Sequence, residues 1–210
     1  MNLRQFVKYW LWRDTTHRGE FDALRRLMTP DFPRLVVDVG ASDGFYGSNS
    51  FPFVARGWRG ILVEPHPEAF AKLQKLHHRR PNVTCHNLAC ANFTGTFPLH
   101  LGKDYSTSTL SQDPELLKTR TSNTIPVKVE TLSDLLKALS VPADIGVLTV
   151  DAEGMDYEVF LGLDFSRWRP RLIITEDCES KEAKKSERLT SQGYRLARPI
   201  AGNTIWQSVR

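Results

Sequence analysis

Four acidic residues follow two apolar stretches of the sequence, at the points where each stretch ends. Asp151 and Glu153 come after IGVLTV, and Glu176 and Asp177 come after LIIT. Both stretches have the composition of buried parallel strands, whose carboxyl ends meet at one edge of a sheet. Carboxylates crowded at such an edge repel one another unless they share a proton or a cation. The pattern therefore predicts a site of acid–base or metal chemistry.

Three uses of these carboxylates are open. In the first, Asp151, Glu176 and Asp177 bind Mg²⁺, and the metal binds a substrate hydroxyl and lowers its pKa. In the second, Glu153 or Asp151 is a catalytic general base without a metal, with a pKa raised by its acidic neighbours. In the third, the residues are structural: Glu153 and Asp156 cap the helix that follows, and Glu176 pairs with an arginine.

A second group of polar residues lies in RLVVDVGASDG, residues 34–44, where a predicted strand gives way to a helix. Gly40 allows a sharp turn and a close approach of the backbone to a ligand. A dinucleotide-binding loop would read GxGxxG, but Ser42 stands at the second glycine, which disfavours pyrophosphate. Asp38 would repel a phosphate, and it suits a ligand that carries an ammonium and a sulfonium. The loop therefore predicts S-adenosylmethionine as the cofactor.

The predicted cofactor site extends to the ends of the next two strands. Glu64 closes the second strand, where a carboxylate can accept both hydroxyls of an adenosine ribose. Asn87 and Ala89 follow the third strand and are placed to meet the adenine edge, although Asn87 can equally close a turn. The predicted cofactor-binding residues are Asp38, Gly40, Ala41, Ser42, Gly44, Tyr46, Glu64, Pro65, Asn87, Ala89 and Asp151.

The segments around these residues alternate between strand and helix patterns, which is typical of an α/β fold with helices on both faces of a parallel sheet. The predicted core strands are residues 35–39, 60–63, 83–86, 145–150 and 172–175. The predicted helices are residues 20–28, 46–56, 67–78, 132–139 and 157–163. Pro52 is expected to kink the second of these helices or delay its start. Short strands at 194–197 and 204–209 predict a terminal antiparallel hairpin.

The alternation loosens between residues 95 and 130, where the chain is rich in Thr and Ser and strand patterns occur only at 96–101 and 124–129. We expect this insertion to lie over the active site. Its segment YSTST, residues 105–109, either offers hydroxyls to a polar substrate or forms a mobile loop. His66, which follows Glu64 and Pro65, is expected to lie on the surface or flank the cofactor rather than act as a base.

Composition sets limits on the class of protein. The chain has 210 residues, of which 40% are hydrophobic, a formal net charge of +4 and a pI near 9.0, which suits an anionic substrate or surface without requiring one. Cys85, Cys90 and Cys178 show no zinc-site spacing, so we expect a reducing cytoplasm. No apolar run approaches the roughly 18 residues of a membrane span, and we expect a soluble protein.

The first residues form a separate feature. Leu3, Phe6, Val7, Trp10 and Leu11 recur at helical spacing, with basic residues on the other face. This helix is expected to cap the sheet or to dock on an anionic membrane or a partner. The predicted organisation is a helical extension over 1–33 and one catalytic domain over 34–210, without internal repeats; the oligomeric state stays open.

Five blocks of the sequence, in order, resemble the FkbM family of S-adenosylmethionine-dependent methyltransferases. They are DVGASDG, VEPHPEAFAKL, VKVETLSDLL, VDAEGMDYEVFLGL and RPRLIITED, and they run from about residue 35 to 177. The resemblance implies a Rossmann-like class I methyltransferase fold and O-methylation of a hydroxyl on a sugar, glycan or polyketide natural product. Two positions depart from the family: Ser42 stands where Asn is usual, and Asp156 where the DxEGxE pattern ends in Glu.

Three rival functions match the sequence less well. An NAD-linked oxidoreductase would have the GxGxxG loop. A non-catalytic cofactor-binding module would not need Asp151 and Glu153. A nucleic-acid methyltransferase would use a basic, aromatic surface, of which Arg4, Lys8 and Trp10 give only a small version, and the chain has no NPPY-type sequence.

Overall fold

The computed structural model describes residues 15–16, 19–177, 181–200 and 202–209. The helix predicted over residues 3–12 and the thiol of Cys178 lie outside these residues. In the part of the chain that is described, no helix is long and apolar enough to cross a bilayer.

Ten strands and seven α-helices are found in the described residues. The strands are β1 (Leu35–Val39), β2 (Arg59–Val63), β3 (Val83–His86), β4 (Ala89–Ala91), β5 (Gly95–His100), β6 (Thr124–Thr131), β7 (Asp144–Val150), β8 (Arg169–Glu176), β9 (Tyr194–Ile200) and β10 (Asn203–Ser208). The helices are α1 (Glu20–Arg25), α2 (Phe51–Val54), α3 (Pro67–His77), α4 (Pro114–Leu117), α5 (Leu132–Ala138), α6 (Asp156–Leu161) and α7 (Glu182–Ser191).

Seven of the strands form the central sheet, in the order β3-β2-β1-β7-β8-β10-β9. The first five of these are parallel, and β10 and β9 complete the sheet as an antiparallel hairpin. The chain builds outward from β1 on one side and then returns to β7 on the other. Such a reversal leaves a crevice at the carboxyl ends of β1 and β7, where open α/β sheets bind ligands. The predicted fold class is confirmed.

The two faces of the sheet are both buried, as the apolar runs of its strands require. Along β1, Val37 belongs to a core shared with α5, α6 and α7, whereas Val36 faces a second core shared with α1 and α2. In the second core Phe21 of α1 meets the edge of Phe53 of α2, with ring centroids 5.1 Å apart. Helices on both faces thus hold the strand ends rigidly in place.

The predicted elements agree with the structure where the pattern is local. β1 and β3 have the predicted bounds, but the helix predicted over 46–56 begins only at Phe51, because Pro52 suits the first helical turn and residues 46–50 form turns and bends. The hairpin strands extend further than predicted, to Ile200 and from Asn203. Pro199 is tolerated there because β9 is an edge strand.

The insertion over residues 95–130 is more ordered than its composition suggested. β5 and β6 pair antiparallel and β4 joins them, giving a second sheet of order β4-β6-β5. Leu99, Leu110 and Val127 of the insertion bury themselves with Met155, which follows β7. The insertion is therefore packed against the loop that carries the acidic residues.

Candidate active site

A cavity of about 520 Å³ lies at the carboxyl ends of β1, β2 and β7. Of the predicted cofactor-binding residues, only Gly44 and Asn87 are missing from its lining. The lining also includes Glu153 and parts of the insertion, among them Ser106, Ser108 and Leu110. The loop after β1 and the first acidic loop therefore share one cavity, as predicted from the sheet edge.

Gly40 is required by the close approach of this loop to β7. It adopts a φ of +88°, and a Cβ there would stand 2.8 Å from the carbonyl carbon of Asp151 and closer still to its oxygen. The loop is fixed because the amides of Gly40 and Ala41 both donate to the carbonyl of Val63, at 3.0 and 2.9 Å. On the other side, the amide of Asp151 donates to the carbonyl of Val39 at 2.9 Å.

Glu64 is 5% exposed at the end of β2. Its Oε2 accepts the amide of Ser42 at 2.8 Å, and its Oε1 accepts the amide of His66 at 2.7 Å. Each oxygen keeps one further lone pair, which is the capacity that two ribose hydroxyls would need. Burial raises the pKa of Glu64 to about 7, against these two hydrogen bonds.

Asp38 is the second buried acid of the cavity, at 3% exposure. Its Oδ2 accepts the hydroxyl of Ser50, which precedes α2. Burial, opposed by the Ser50 hydrogen bond and assisted by the charge of Asp151, raises the pKa of Asp38 to about 7. A cation bound beside Asp38 would favour its ionised form and relieve part of this cost.

Asn87 and Gly44 do not line the cavity; they contact the segments that surround it. Asn87 is exposed, and its Nδ2 donates to the carbonyls of Glu64 at 2.8 Å and Pro65 at 3.1 Å. This placement supports the alternative in which Asn87 closes a turn. Gly44 has a φ of +76° and lies against α3, where a Cβ would come within 3.2 Å of His77 Nε2.

Asp43 is a site residue that the sequence analysis did not single out. Its Oδ1 accepts the amides of Phe45 at 2.9 Å and Tyr46 at 3.0 Å, and its Oδ2 accepts the hydroxyl of Tyr105 at 3.1 Å. An Asp directly before a glycine is a turn signal, because its carboxylate can bind amides two and three residues later. That signal was present in DVGASDG, but the partner in the insertion was not visible from the sequence.

The acidic group at the sheet edge is formed by Asp151, Glu153 and Glu176, whose carboxylate oxygens lie within 4.8 Å of one another. Burial, and then the charge of Asp151, raise the pKa of Glu176, and the two side chains share a hydrogen bond. Asp177 lies apart: it is exposed, and its Oδ1 accepts the hydroxyl of Thr204. Successive residues at a strand end point in opposite directions, so the predicted metal-binding set with Asp177 is not brought together.

Glu153 is held in place by the insertion. Its Oε2 lies 2.8 Å from Nη2 of Arg120, whose side chain is only 8% exposed, and its carbonyl accepts the hydroxyl of Thr109 at 2.6 Å. Its φ of +50° is strained for a non-glycine residue. Burial and the charge of Asp151 raise its pKa to about 7, and Arg120 opposes them. No sequence signal connects Arg120 with Glu153.

Asp156 and Glu176 were also predicted to have structural roles. Asp156 begins α6, but its Oδ1 accepts the amide of Ala152 at 2.9 Å, which lies in the loop before the helix. Asp156 therefore fixes the acidic loop and does not cap the helix as predicted. Burial, and then the charge of Asp151, raise its pKa to about 7. The Glu176 side chain shares its hydrogen bond with Asp151, and the ammonium of Lys185 donates to the backbone carbonyl of Glu176. Among the ion pairs of the described residues, none joins the Glu176 carboxylate to an arginine, so the predicted pairing is not found.

His66 and the YSTST segment differ in their position relative to the cavity. His66 is the N-cap of α3, its Nδ1 accepts the amide of Glu68 at 3.2 Å, and it is not part of the cavity lining, in agreement with a flanking role. The YSTST segment contributes Tyr105, Ser106 and Ser108 to the lining. It is therefore placed to meet a ligand in the cavity.

Solved structures share this fold at low sequence identity. A methyltransferase from Geobacter sulfurreducens is 14% identical, with 97% of this chain and 84% of that chain covered and a TM-score of 0.50. The methyltransferase domain of METTL16 is 13% identical, with 91% and 65% covered and a TM-score of 0.50. Both show the fold alone. No curated protein matches the sequence.

The family is shown by the sequence itself. Residues 38–196 match the methyltransferase FkbM domain, which is well over half of the chain. The methyltransferase fold around the cavity implies S-adenosylmethionine as the methyl donor. The matched range contains the loop at Gly40, Glu64 and the acidic loop with Glu153. The chain belongs to the methyltransferase FkbM domain family.

Proposed function

We propose that the protein transfers a methyl group from S-adenosylmethionine to a hydroxyl oxygen of a sugar, glycan or natural product. The observation that carries the proposal is the place of Glu153, a carboxylate with a raised pKa, in the same cavity as the loop at Gly40 and Glu64. A donor site and a group that can accept a proton from a hydroxyl are thus adjacent.

The residues of the cavity fit this donor. The described lining contains Asp38, Glu64 and other carboxylates but no Lys, Arg or His, which favours a ligand with an ammonium and a sulfonium over a phosphate. In the proposed arrangement Glu64 accepts the ribose hydroxyls, Asp38 faces the ammonium directly or through water, and Leu88 and Ala89 flank the adenine. When bound, the donor supplies a methyl group on a positively charged sulfur.

Glu153 is the proposed general base. An ordinary carboxylate is poorly matched to an alcohol, and a pKa of about 7 improves the match at neutral pH. Arg120 and Thr109 fix the side chain and the backbone of Glu153, so that the base does not have to be ordered during the reaction. Holding the hydroxyl in line with the methyl group can supply about 7 to 11 kcal/mol.

A metal-assisted route would use the same carboxylates differently. Asp151, Glu153 and Glu176 are close enough to share a cation, but Arg120 already places a positive charge 2.8 Å from Oε2 of Glu153, which disfavours a second cation there. We therefore assign Glu153 to proton transfer. Assays with Mg²⁺ and with a chelator test this choice.

The proposal is tested by a methyl-transfer assay, read by mass spectrometry, against glycans, glycolipids and natural products. We expect the wild type to methylate a hydroxyl in the presence of a chelator and Glu153→Gln to be slower by about 100-fold or more. Glu115→Gln, at an exposed site of the insertion, is the control and should keep full activity. Full activity of Glu153→Gln would reject the base, loss of activity with chelator would favour the metal route, and methylation of RNA alone would favour the nucleic-acid alternative.

A further inference from the structure

The insertion reaches the loop after β1 with the side chain of Tyr105. The hydroxyl of Tyr105 donates to Oδ2 of Asp43 at 3.1 Å. The other oxygen of Asp43 accepts the amides of Phe45 and Tyr46 and so fixes the shape of this loop. The Tyr105 contact therefore joins two segments that are 62 residues apart in sequence.

Helix α3 holds the same tyrosine from a second side. The ammonium of Lys72 lies 4.2 Å from the centroid of the Tyr105 ring, a cation–π contact. Lys72 is itself oriented by Glu68, one helical turn earlier, at 2.8 Å. The ring is thus fixed by its hydroxyl and by its face, and the two contacts come from different elements.

Tyr105 also lines the cavity, together with its neighbours Asp104 and Ser106. It begins the 3₁₀ turn Tyr105–Thr107, which contacts α3. The wall of the cavity on the side of Asp43 is therefore made by the insertion, and its only described side-chain hydrogen bond to the loop after β1 is that of the Tyr105 hydroxyl. A ligand that rests on this loop therefore lies beside a wall that the Tyr105 hydroxyl fastens to the loop.

We propose that Tyr105 retains the methyl donor, by fastening the insertion to the donor-binding loop through Asp43. This inference rests on the proposed function, because it takes the ligand of that loop to be S-adenosylmethionine. In this arrangement the donor leaves when the 3₁₀ turn lifts, and the hydroxyl of Tyr105 and the ammonium of Lys72 both oppose that movement. Weakening either contact raises the population of the open state and hence the rate of release.

The test is the dissociation rate of S-adenosylhomocysteine, measured by stopped-flow displacement, which needs no acceptor. Tyr105→Phe removes only the hydroxyl, so we expect dissociation to be about 5- to 10-fold faster, with association through the same opening also faster. Tyr105→Ala also removes the ring, and its effect should be larger. Lys72→Met should give a smaller increase, of about two- to threefold.

Two matched variants serve as controls. Tyr157→Phe makes the same chemical change on α6, outside the cavity lining, and Lys75→Met makes the lysine change on the exposed face of α3; both should release the ligand at the wild-type rate. Thermal melting of each variant shows that it is folded.

The outcomes separate the two proposals. If wild type binds S-adenosylhomocysteine and Tyr105→Phe releases it at the wild-type rate, the retaining role of Tyr105 is rejected and the proposed function stands. If wild type does not bind S-adenosylhomocysteine at all, the proposed function is rejected, and the retaining role that rests on it is rejected with it. If Tyr157→Phe accelerates release as much as Tyr105→Phe, the effect is not specific to the contact with Asp43, and the retaining role is likewise rejected.

Discussion

Replacement of Gly40 by alanine should disrupt the site, because it puts a methyl group where the backbone after β7 leaves no room for one. The residue has a φ of +88°, which costs an alanine about 1 to 2 kcal/mol. In addition, the new Cβ would overlap the backbone carbonyl of Asp151, whose own amide is tied to Val39 and cannot retreat freely. Overpacking against a fixed group costs about 1 to 3 kcal/mol more. We expect Gly40→Ala to lose about 2 to 5 kcal/mol of unfolding free energy.

The matched control is Gly57→Ala. Gly57 has a φ of +83°, but nothing lies within 4 Å of a Cβ built there. Gly57→Ala therefore has the same backbone strain but no steric overlap. Both variants lose the same conformational entropy in the unfolded chain, so this effect cancels when their unfolding free energies are compared. Urea unfolding followed by tryptophan fluorescence gives both free energies, and calorimetry gives the affinity for S-adenosylhomocysteine. Only Gly40→Ala should lose binding.

Equal unfolding free energies for the two variants, with binding retained in both, would refute this reasoning. In that case the loop after β1 would have room to move away from β7, and the close approach at Gly40 would not shape the cavity.

Three further predictions concern the buried charges. Asp156 has a folded pKa of about 7, above its ordinary value of 3.8, so it contributes stability that is present at low pH and lost as the pH rises through about 7. Asp156→Asn should therefore be more stable than wild type at pH 8 by about 1 to 3 kcal/mol. Its free energy of unfolding, measured in urea, should also depend less on pH. Arg120→Gln should lose about 1 to 2 kcal/mol because Glu153 is left without its partner, whereas Lys118→Gln, in an exposed ion pair of the same segment, should lose less than about 0.5 kcal/mol. Methyl transfer should fall as pH drops below about 7, because Glu153 must be ionised to accept a proton; a rate that stays flat down to pH 5 would exclude it as the base.

The sequence predicted well those features that depend on local pattern. The apolar run at 35–39 and the acidic residues after residue 150 are each defined by neighbours along the chain, and both took the predicted places at the sheet edge. The strand at Ala89–Ala91 and the helix Glu182–Ser191 were missed, the first because it is only three residues long and the second because its helix is strongly polar. Their formation depends on packing against other elements rather than on their own composition.

The cofactor loop could be predicted from the sequence, whereas the partners of the acidic group could not. Gly40 and Glu64 follow from strand ends, whereas Arg120 reaches Glu153 from 33 residues away and Tyr105 reaches Asp43 from 62 residues away. Such pairs are set by the path of the insertion, which no spacing rule describes. The exchange of Asp177 for Glu153 in the acidic group has the same origin, since it depends on which side chains at a strand end face the cavity.

The central claim is that the cavity at Glu64 holds the methyl donor, and it is tested most directly by calorimetry with S-adenosylhomocysteine. Glu64→Gln removes the negative charge and one acceptor oxygen, while Glu68→Gln makes the same change at an exposed site on α3. We expect micromolar binding by wild type and by Glu68→Gln, and an affinity at least about tenfold weaker for Glu64→Gln. Absence of binding by wild type, or equal affinity of Glu64→Gln and wild type, would contradict the account.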